Sequence, residues 1–500
     1  MGYKDVLRKI KRHSWWSEDA PGLEQTIVYP LRAFVTLRNL IKEPYMSIAV
    51  LVFRGDYFYE KTPDDDRYKV YLHFYRHTKA NPKYIRNLMR QWQQRKKAYF
   101  RTISKFVGAR HSLSNRQLWD SYLKFLEQYR EFTNMSAAIE GSDQFTTHYL
   151  EAMARKELPG VPETRLKEMI MVLTAPKVLS FMEEERIDFL KLCVGSYELL
   201  KKGKTSKALQ RGAEQLSRKY YFVLSNFKDI RFLNARHFIK AAGEEVHKPK
   251  KNLQKELKSL QTKISRLQKE AAAIKRRHRM SKSFMLHLNV VEQLGECIDF
   301  RKRSMINTNH YIAMYCKEIG KRFGLSEAQV LRLTLDEIGH MFRTGKVPNA
   351  KKVCQRRKLT AYVYTYKNGR VVDDRFRGAK AQKILDLTSH KAEGEIKGNV
   401  ANAPVRKITG KVQVILDASQ HIFEKGNILV TSMTRPEFVP LMRKASAIIT
   451  DEGGLTCHAA IISRELGIPC IIGTKIATRA LKSGDFVEID CRSGVVRKLK

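Results

Sequence analysis

Near Lys397 the chain changes its hydrophobic period, and that change restricts the fold class more than any other feature of the sequence. Upstream, apolar residues recur at spacings of three and four, as in Leu118, Tyr122, Phe125 and Tyr129; that is the period of an amphipathic helix. Downstream, short β-rich runs (Lys411 to Leu416, Asn427 to Val430, Ala447 to Ile449, Cys470 to Ile472, Phe486 to Ile489) alternate with glycine-containing turns and two short helices. Such alternation predicts a compact α/β domain. The expected architecture is therefore multidomain, a mostly α-helical N-terminal region followed by an α/β C-terminal domain.

Finer divisions follow from local signals. Residues 1–245 read as a mainly helical domain, with helices expected over Tyr84 to Phe106, Arg116 to Phe132, Arg165 to Val172 and Arg186 to Leu200. The exception is Ser47 to Tyr59, where β-branched and aromatic residues around Arg54-Gly55-Asp56 predict a hairpin. Residues 246–282 carry a heptad-like seam (Leu253, Leu257, Leu260, Ile264, Leu267, Ala271, Ile274) and read as a basic, coiled-coil-like helix. Between Lys248 and Lys282 stand thirteen lysines and arginines against two glutamates. Residues 283–394 read as a helical linker with N-caps at Ser326 and Thr334 and a β-hairpin turning at Asn368-Gly369. Residues 395–500 form the α/β domain, joined through the polar stretch Ser389 to Glu395, which suits a flexible tether.

Composition narrows the partners. The longest apolar stretch, Met46 to Phe53, is too short to span a bilayer, and no apolar run follows the basic N-terminus, so no membrane partner and a cytoplasmic setting are expected. The seven cysteines include no CxxC pair, which predicts neither a disulfide framework nor a metal site. A formal charge of +43 favours polyanions, but no nucleic-acid-reading motif accompanies it; weak, sequence-blind nucleic-acid binding is the expectation.

The chemistry concentrates between Thr450 and Cys470. A buried strand, Ala447 to Ile449, runs into Gly453-Gly454 and then into a helix whose first turn holds Thr456 and His458. Two glycines permit a sharp turn and close approach to a ligand, and the N–H groups of a helix start favour an anion. A histidine held there can accept a phosphoryl group and surrender it. Thr456 can cap the helix or bond phosphate oxygens, Cys457 belongs to the same loop, and Arg464 stands about 9 Å further along the helix. A structural N-terminal histidine is the alternative for a lone residue; the glycine pair favours the phosphoryl acceptor.

The run Gly453-Gly454-Leu455-Thr456-Cys457-His458-Ala459-Ala460-Ile461-Ile462-Ser463-Arg464-Glu465-Leu466-Gly467-Ile468-Pro469-Cys470 resembles the phosphohistidine signature of phosphoenolpyruvate synthase and pyruvate, phosphate dikinase. The likeness extends from about Ile396 to Leu499 and includes Asn427 to Thr431, Leu481 to Asp485 and Gly494 to Val496. It implies a swivelling mobile domain with His458 as the carrier and Gly453, Gly454 and Cys457 in the phosphate-binding loop. Thr456 matches a position that is a regulatory phosphorylation site in some plant dikinases. One departure is Ala403-Pro404-Val405, where the family usually has Ser-Pro-Gly. Phosphoenolpyruvate or ATP is the implied donor, with Mg²⁺ at a partner site, and no motif for a resident cofactor is present.

No ATP-grasp or TIM-barrel pattern is found, and Gly339 to Lys346 is not a Walker loop. A complete dikinase is not expected. The reading that follows is a phosphoryl carrier served by separate donor and acceptor proteins or domains. Two alternatives remain: a basic nucleic-acid-binding or scaffold protein using the domain structurally, and a divergent phosphotransferase with an unrecognised nucleotide site.

Overall fold

The computed structural model describes residues 2–21, 23, 25, 47–140, 145–367, 370–389, 395–418, 422–454 and 457–499. Most of them are helical, and the strands gather in two sheets. Two compact units cut across the linear segments: residues 1–73, 140–149 and 329–500 form one, and residues 74–139 and 150–328 the other.

The first unit contains both sheets. Strands β1 (Trp15–Pro21), β2 (Ile48–Arg54), β3 (Tyr57–Pro63), β4 (Thr360–Lys367) and β5 (Arg370–Arg377) form an antiparallel sheet in the order β1-β3-β2-β4-β5. The expected hairpin at Ser47 to Tyr59 is β2–β3, and the expected pair after Leu359 is β4–β5. Local pattern gave no sign that they share one sheet. Their joining depends on β2 and β4, whose Val50, Val52, Ala361 and Val363 share a buried cluster with Ile384 and Leu385 of the helix Ala379–Thr388. Strand β1 was not anticipated. The turn residues Asn368 and Gly369, and residues 390–394 of the expected tether, lie outside the described residues.

The second sheet has eight strands: β6 (Ile396–Lys397), β7 (Asn399–Asn402), β8 (Lys407–Val414), β9 (Ile428–Thr431), β10 (Ala447–Thr450), β11 (Cys470–Ile472), β12 (Phe486–Asp490) and β13 (Val495–Leu499). Their order is β6-β13-β12-β8-β9-β10-β11-β7. Strands β8 to β11 run parallel and the flanking pairs antiparallel. Parallel neighbours require crossovers; the link from β10 to β11 contains the helix His458–Leu466. The fully buried runs Ile-Leu-Val-Thr of β9 and Ala-Ile-Ile-Thr of β10 are those of strands covered on both faces.

In the second unit, the 42-residue helix Lys282–Phe323 is capped by Ser281 and ended by Gly324 at φ 69°. It packs along Tyr84–Ala109, where Trp92 is buried and donates from Nε1 to the Phe132 carbonyl at 3.2 Å. The helix expected over Arg186 to Leu200 is two helices, Phe181–Gly195 and Tyr197–Lys201. A Ser180/Glu183 capping box starts the first earlier than the apolar pattern suggests. The break falls at Gly195-Ser196, two residues of modest helix propensity. The heptad seam lies on one helix, Lys250–Arg277; Leu253 is buried in a cluster with Phe189, Leu190 and Cys193, and Leu257 and Leu260 pack against it.

Among the described residues, no helix is long and apolar enough to cross a membrane, and no group of three His, Cys, Asp or Glu is placed to hold a metal ion.

Candidate functional site

The carboxyl ends of adjacent parallel strands are where an open α/β sheet places its ligand-facing loops. Here β9 and β10 pair in parallel from Ala447↔Ile428 to Thr450↔Thr431, so they end side by side. The chain leaving β9 is Ser432-Met433-Thr434-Arg435, and the chain leaving β10 is Asp451 to Cys457. Backbone bonds zip the two exits: Asp451 N–H donates to the Thr431 carbonyl at 3.1 Å and Glu452 N–H to the Ser432 carbonyl at 2.8 Å. The loop beyond β11 joins them through Thr474 N–H to the Thr450 carbonyl (3.0 Å) and Lys475 N–H to the Asp451 carbonyl (2.9 Å).

A buried carboxylate fastens this junction. Asp451 accepts from Thr474 Oγ1 at 3.1 Å and from the Thr478 N–H at 3.0 Å through Oδ1, and from the Thr478 hydroxyl through Oδ2. Thr450 Oγ1 donates to the Glu452 carbonyl at 2.6 Å. Bonds of this kind satisfy the polar groups that the loops would otherwise bury unpaired. They hold the following glycines in place.

Gly453 sits at φ 116°, and a Cβ there would stand 2.7 Å from Cys457 Sγ. Only glycine meets both demands, a positive φ and a close neighbour. Behind it Gly473, at φ 68°, keeps the Gly453 carbonyl within 3.1 Å of where its own Cβ would be. Gly454 accepts the Cys457 N–H at 2.9 Å, which closes the turn into the helix. Leu455 and Thr456 are outside the described residues, so the expected contribution of Thr456 is not among the observed contacts.

Cys457 is the N-cap of the helix His458–Leu466 and makes no side-chain capping bond. His458 is the first helical residue and is half-buried. Its Nδ1 lies 2.9 Å from Thr434 Oγ1, a hydroxyl on the neighbouring loop that is itself buried. Arg464 falls in the last turn, where its charge complements the helix carboxyl end. By helical rise it is about 9 Å from His458 along the axis. It lies close enough to Cys470 to oppose the upward push that burial and neighbouring Cys457 give that thiol. The structure thus brings His458, Cys457, Gly453 and Gly454 together and sets Arg464 at the other end of the helix. The helix ends at Gly467 (φ 68°), and Asn402 Nδ2 donates to the Ser463 and Ile468 carbonyls at 3.1 and 2.9 Å.

Thr434 is the site residue that motif reading missed. A signal existed: Thr431-Ser432-Met433-Thr434, which closes a buried strand and leaves it, carries three hydroxyls in four residues. The pairing of β9 with β10 is what makes that run a neighbour of His458. A second unforeseen contact comes from the five-stranded sheet, where Tyr57 at the β2–β3 turn shares a 2.7 Å hydrogen bond with Ser432 Oγ. The turn is braced by Asp56, which accepts from Arg332 at 2.7 and 3.2 Å.

Known proteins resemble this part of the chain. Residues 423–494 match the family model of the PEP-utilising enzyme mobile domain. A probable phosphoenolpyruvate synthase of Archaeoglobus fulgidus is 50% identical over 109 residues, 22% of this chain and 14% of that protein. Another, of Pyrococcus horikoshii, is 59% identical over 90 residues, 18% of this chain and 11% of that protein. This chain therefore spans only a small part of the length of these curated relatives. A solved structure, holo-form aconitase X of Thermococcus kodakaraensis, covers 22% of this chain and 100% of its own at 22% identity, with a TM-score of 0.17. So low a score leaves the fold to be read from the strand order itself. The family match and the identity to these relatives agree with the resemblance read from the glycine-histidine motif: residues 423–494 of this chain belong to the mobile domain of the phosphoenolpyruvate-utilising enzyme family.

Proposed function

We propose that the protein is a phosphoryl carrier that takes a phosphoryl group on His458 from one site and delivers it to another. The observation that carries this reading is the bond between His458 Nδ1 and Thr434 Oγ1 at the start of a helix whose N-cap, Cys457, makes no side-chain capping bond. In the tautomer with Nδ1 protonated, the threonine hydroxyl accepts and the lone pair resides on Nε2. Nε2 then attacks phosphorus, the bond from phosphorus to the donor's leaving oxygen breaks, and the positive charge developing on the imidazole is shared with Thr434. In the return step an acceptor oxygen attacks phosphorus and the P–N bond breaks, restoring the neutral ring.

Phosphoenolpyruvate and ATP are the donors of matching chemistry, with Mg²⁺ acting at the donor's site. The loop of Gly453, Gly454 and Cys457, with the first N–H groups of the helix, surrounds the transferred phosphoryl oxygens. Thr456 adds a hydroxyl to that loop, and Arg464 acts at a distance through its charge. A half-buried His458 suits a group that meets partners in turn, and donor and acceptor are separate proteins or domains.

The test is transfer of label. The full chain is incubated with labelled phosphoenolpyruvate or ATP, alone and with native lysate, and acid-labile, base-stable label is measured. Label on the parent protein and none on His458→Ala is the expected result. Equal label on both proteins refutes the assignment.

A further inference from the structure

The helix Lys250–Arg277 has an inner and an outer line, and the outer line is a ridge of positive charge. On the inner line Leu253 and Ile274 are buried, and Leu257 and Leu260 pack on the core of the second unit. This seam fixes the helix's rotation. At 100° per residue, Lys251, Lys255, Lys258, Arg266, Lys269 and Arg276 fall within about 50° of the line opposite it. All six are exposed, and among the described residues none meets a carboxylate. The helix's two acids are elsewhere: Glu256 accepts from Arg186, and Glu270 lies about a quarter-turn from the ridge. From Lys251 to Arg276 the ridge runs about 37 Å.

An isolated run of like charges on a helix is disfavoured by self-repulsion. Here burial of the seam offsets it, and the charge is left in a straight row. We propose that this ridge binds the phosphate backbone of a nucleic-acid duplex without reading its sequence. Three features select that partner. The charge is of one sign over a length that faces many successive phosphates, which recur at about 3.4 Å per strand. The residues between the cations on this face are Thr262, Ser265 and Ala273, too small to insert into a bilayer as an interfacial helix inserts its apolar side chains. No aromatic side chain stands on the ridge to stack an unpaired base, which directs the row to a duplex rather than a single strand. The binding is independent of His458 and of the carrier reading.

The experiment measures binding of the full chain to a 20-base-pair DNA duplex of arbitrary sequence, by fluorescence anisotropy from 50 to 200 mM salt. Six contacts predict a loss of affinity of about 10³-fold over that range. Replacing Lys255, Lys258 and Lys269 by Gln should weaken binding at least about 10-fold and make the log–log salt slope shallower by about 2.7, three contacts at about 0.9 each. The same three changed to Arg should retain binding, which separates charge from folding. A control with Lys383, Lys397 and Lys425 changed to Gln removes as much charge from exposed positions elsewhere. Equal weakening by the control, unchanged binding in the ridge variant, or ridge-dependent binding to phosphatidylserine vesicles in place of the duplex overturns the proposal.

Discussion

Two helix starts in the first unit are built from similar loop chemistry and finished differently. At Leu335–Thr344 the N-cap Thr334 accepts the Glu337 N–H at 3.2 Å, while the Glu337 carboxylate accepts the Thr334 N–H at 2.8 Å. The helix supplies its own acceptors and leaves little for a ligand. At His458–Leu466 the N-cap is Cys457, whose side chain makes no capping bond, and a glycine in a positive-φ conformation precedes it. The first start is closed for stability. The second is shaped by its surroundings and carries a histidine whose orientation is set by another loop. The second arrangement suits a transient anion better, because the Glu337 carboxylate that closes the first start repels a phosphate.

The sharpest break of this contrast is at Gly453. Changing it to Val forces a β-branched residue to φ 116° with a Cβ 2.7 Å from Cys457 Sγ. Strain of about 1–3 kcal/mol from the backbone alone is expected, and displacement of the loop should lower His458 labelling by about 100-fold. Thermal melting and acid-labile label read the two effects separately. Parent-like labelling in a folded Gly453→Val protein would show that the loop does not shape the site.

Thr434 tests whether the neighbouring strand's loop matters to the chemistry. Thr434→Val keeps the shape and removes the hydroxyl 2.9 Å from Nδ1. Loss of one such bond, about 1–1.5 kcal/mol, predicts labelling slower by about 10-fold, while Thr434→Ser restores it. The pH–rate profile for labelling should shift in the valine variant and not in the serine one, a change that a packing defect does not produce. Identical profiles for all three proteins would leave Thr434 with a structural role only.

The smallest effects come from exchanging the two kinds of cap. Thr334→Ala should destabilise the protein by about 1 kcal/mol and leave labelling unchanged. Cys457→Ser provides an oxygen acceptor at the N-cap of the His458 helix, where the thiol makes no capping bond; a gain of about 0.5–1 kcal/mol is expected, with labelling slower by about two- to fivefold because the new oxygen competes with the phosphate for an N–H. Calorimetry of both variants decides whether the two starts differ as described. A loss on Cys457→Ser would mean that the thiol, which sits against Gly453, is itself part of the packing.

Legibility in the sequence followed the range of the forces involved. The glycine pair and His458 are neighbours along the chain, and a turn into a helix start is a local structure, so the motif could be read directly. The strands β8 to β12 were legible for the same reason, as short apolar runs bounded by turns, although β8 begins four residues before the expected run; β13 was not read as a strand. Helix limits were read less well where a cap lay outside the apolar pattern, as at Ser180. The N-terminal region read as helical also contributes three strands to a sheet completed by residues more than 290 positions later, Ile48 pairing with Thr365. Pairing of that kind has no local signature, because either strand alone presents only an apolar run in search of a neighbour.

The sequence by itself therefore determined that the C-terminal segment is an α/β mobile domain with His458 at the start of a helix, since turn chemistry and hydrophobic period act within a few residues. Tertiary structure alone decided that Thr434 holds His458, that Tyr57 of a distant hairpin reaches Ser432, and that six cations of the basic helix face outward in one row. Each of these depends on which strand lies beside which, or on which side of a helix is buried. Those choices are made by packing of the whole chain, where apolar burial, not proximity in sequence, sets the neighbours.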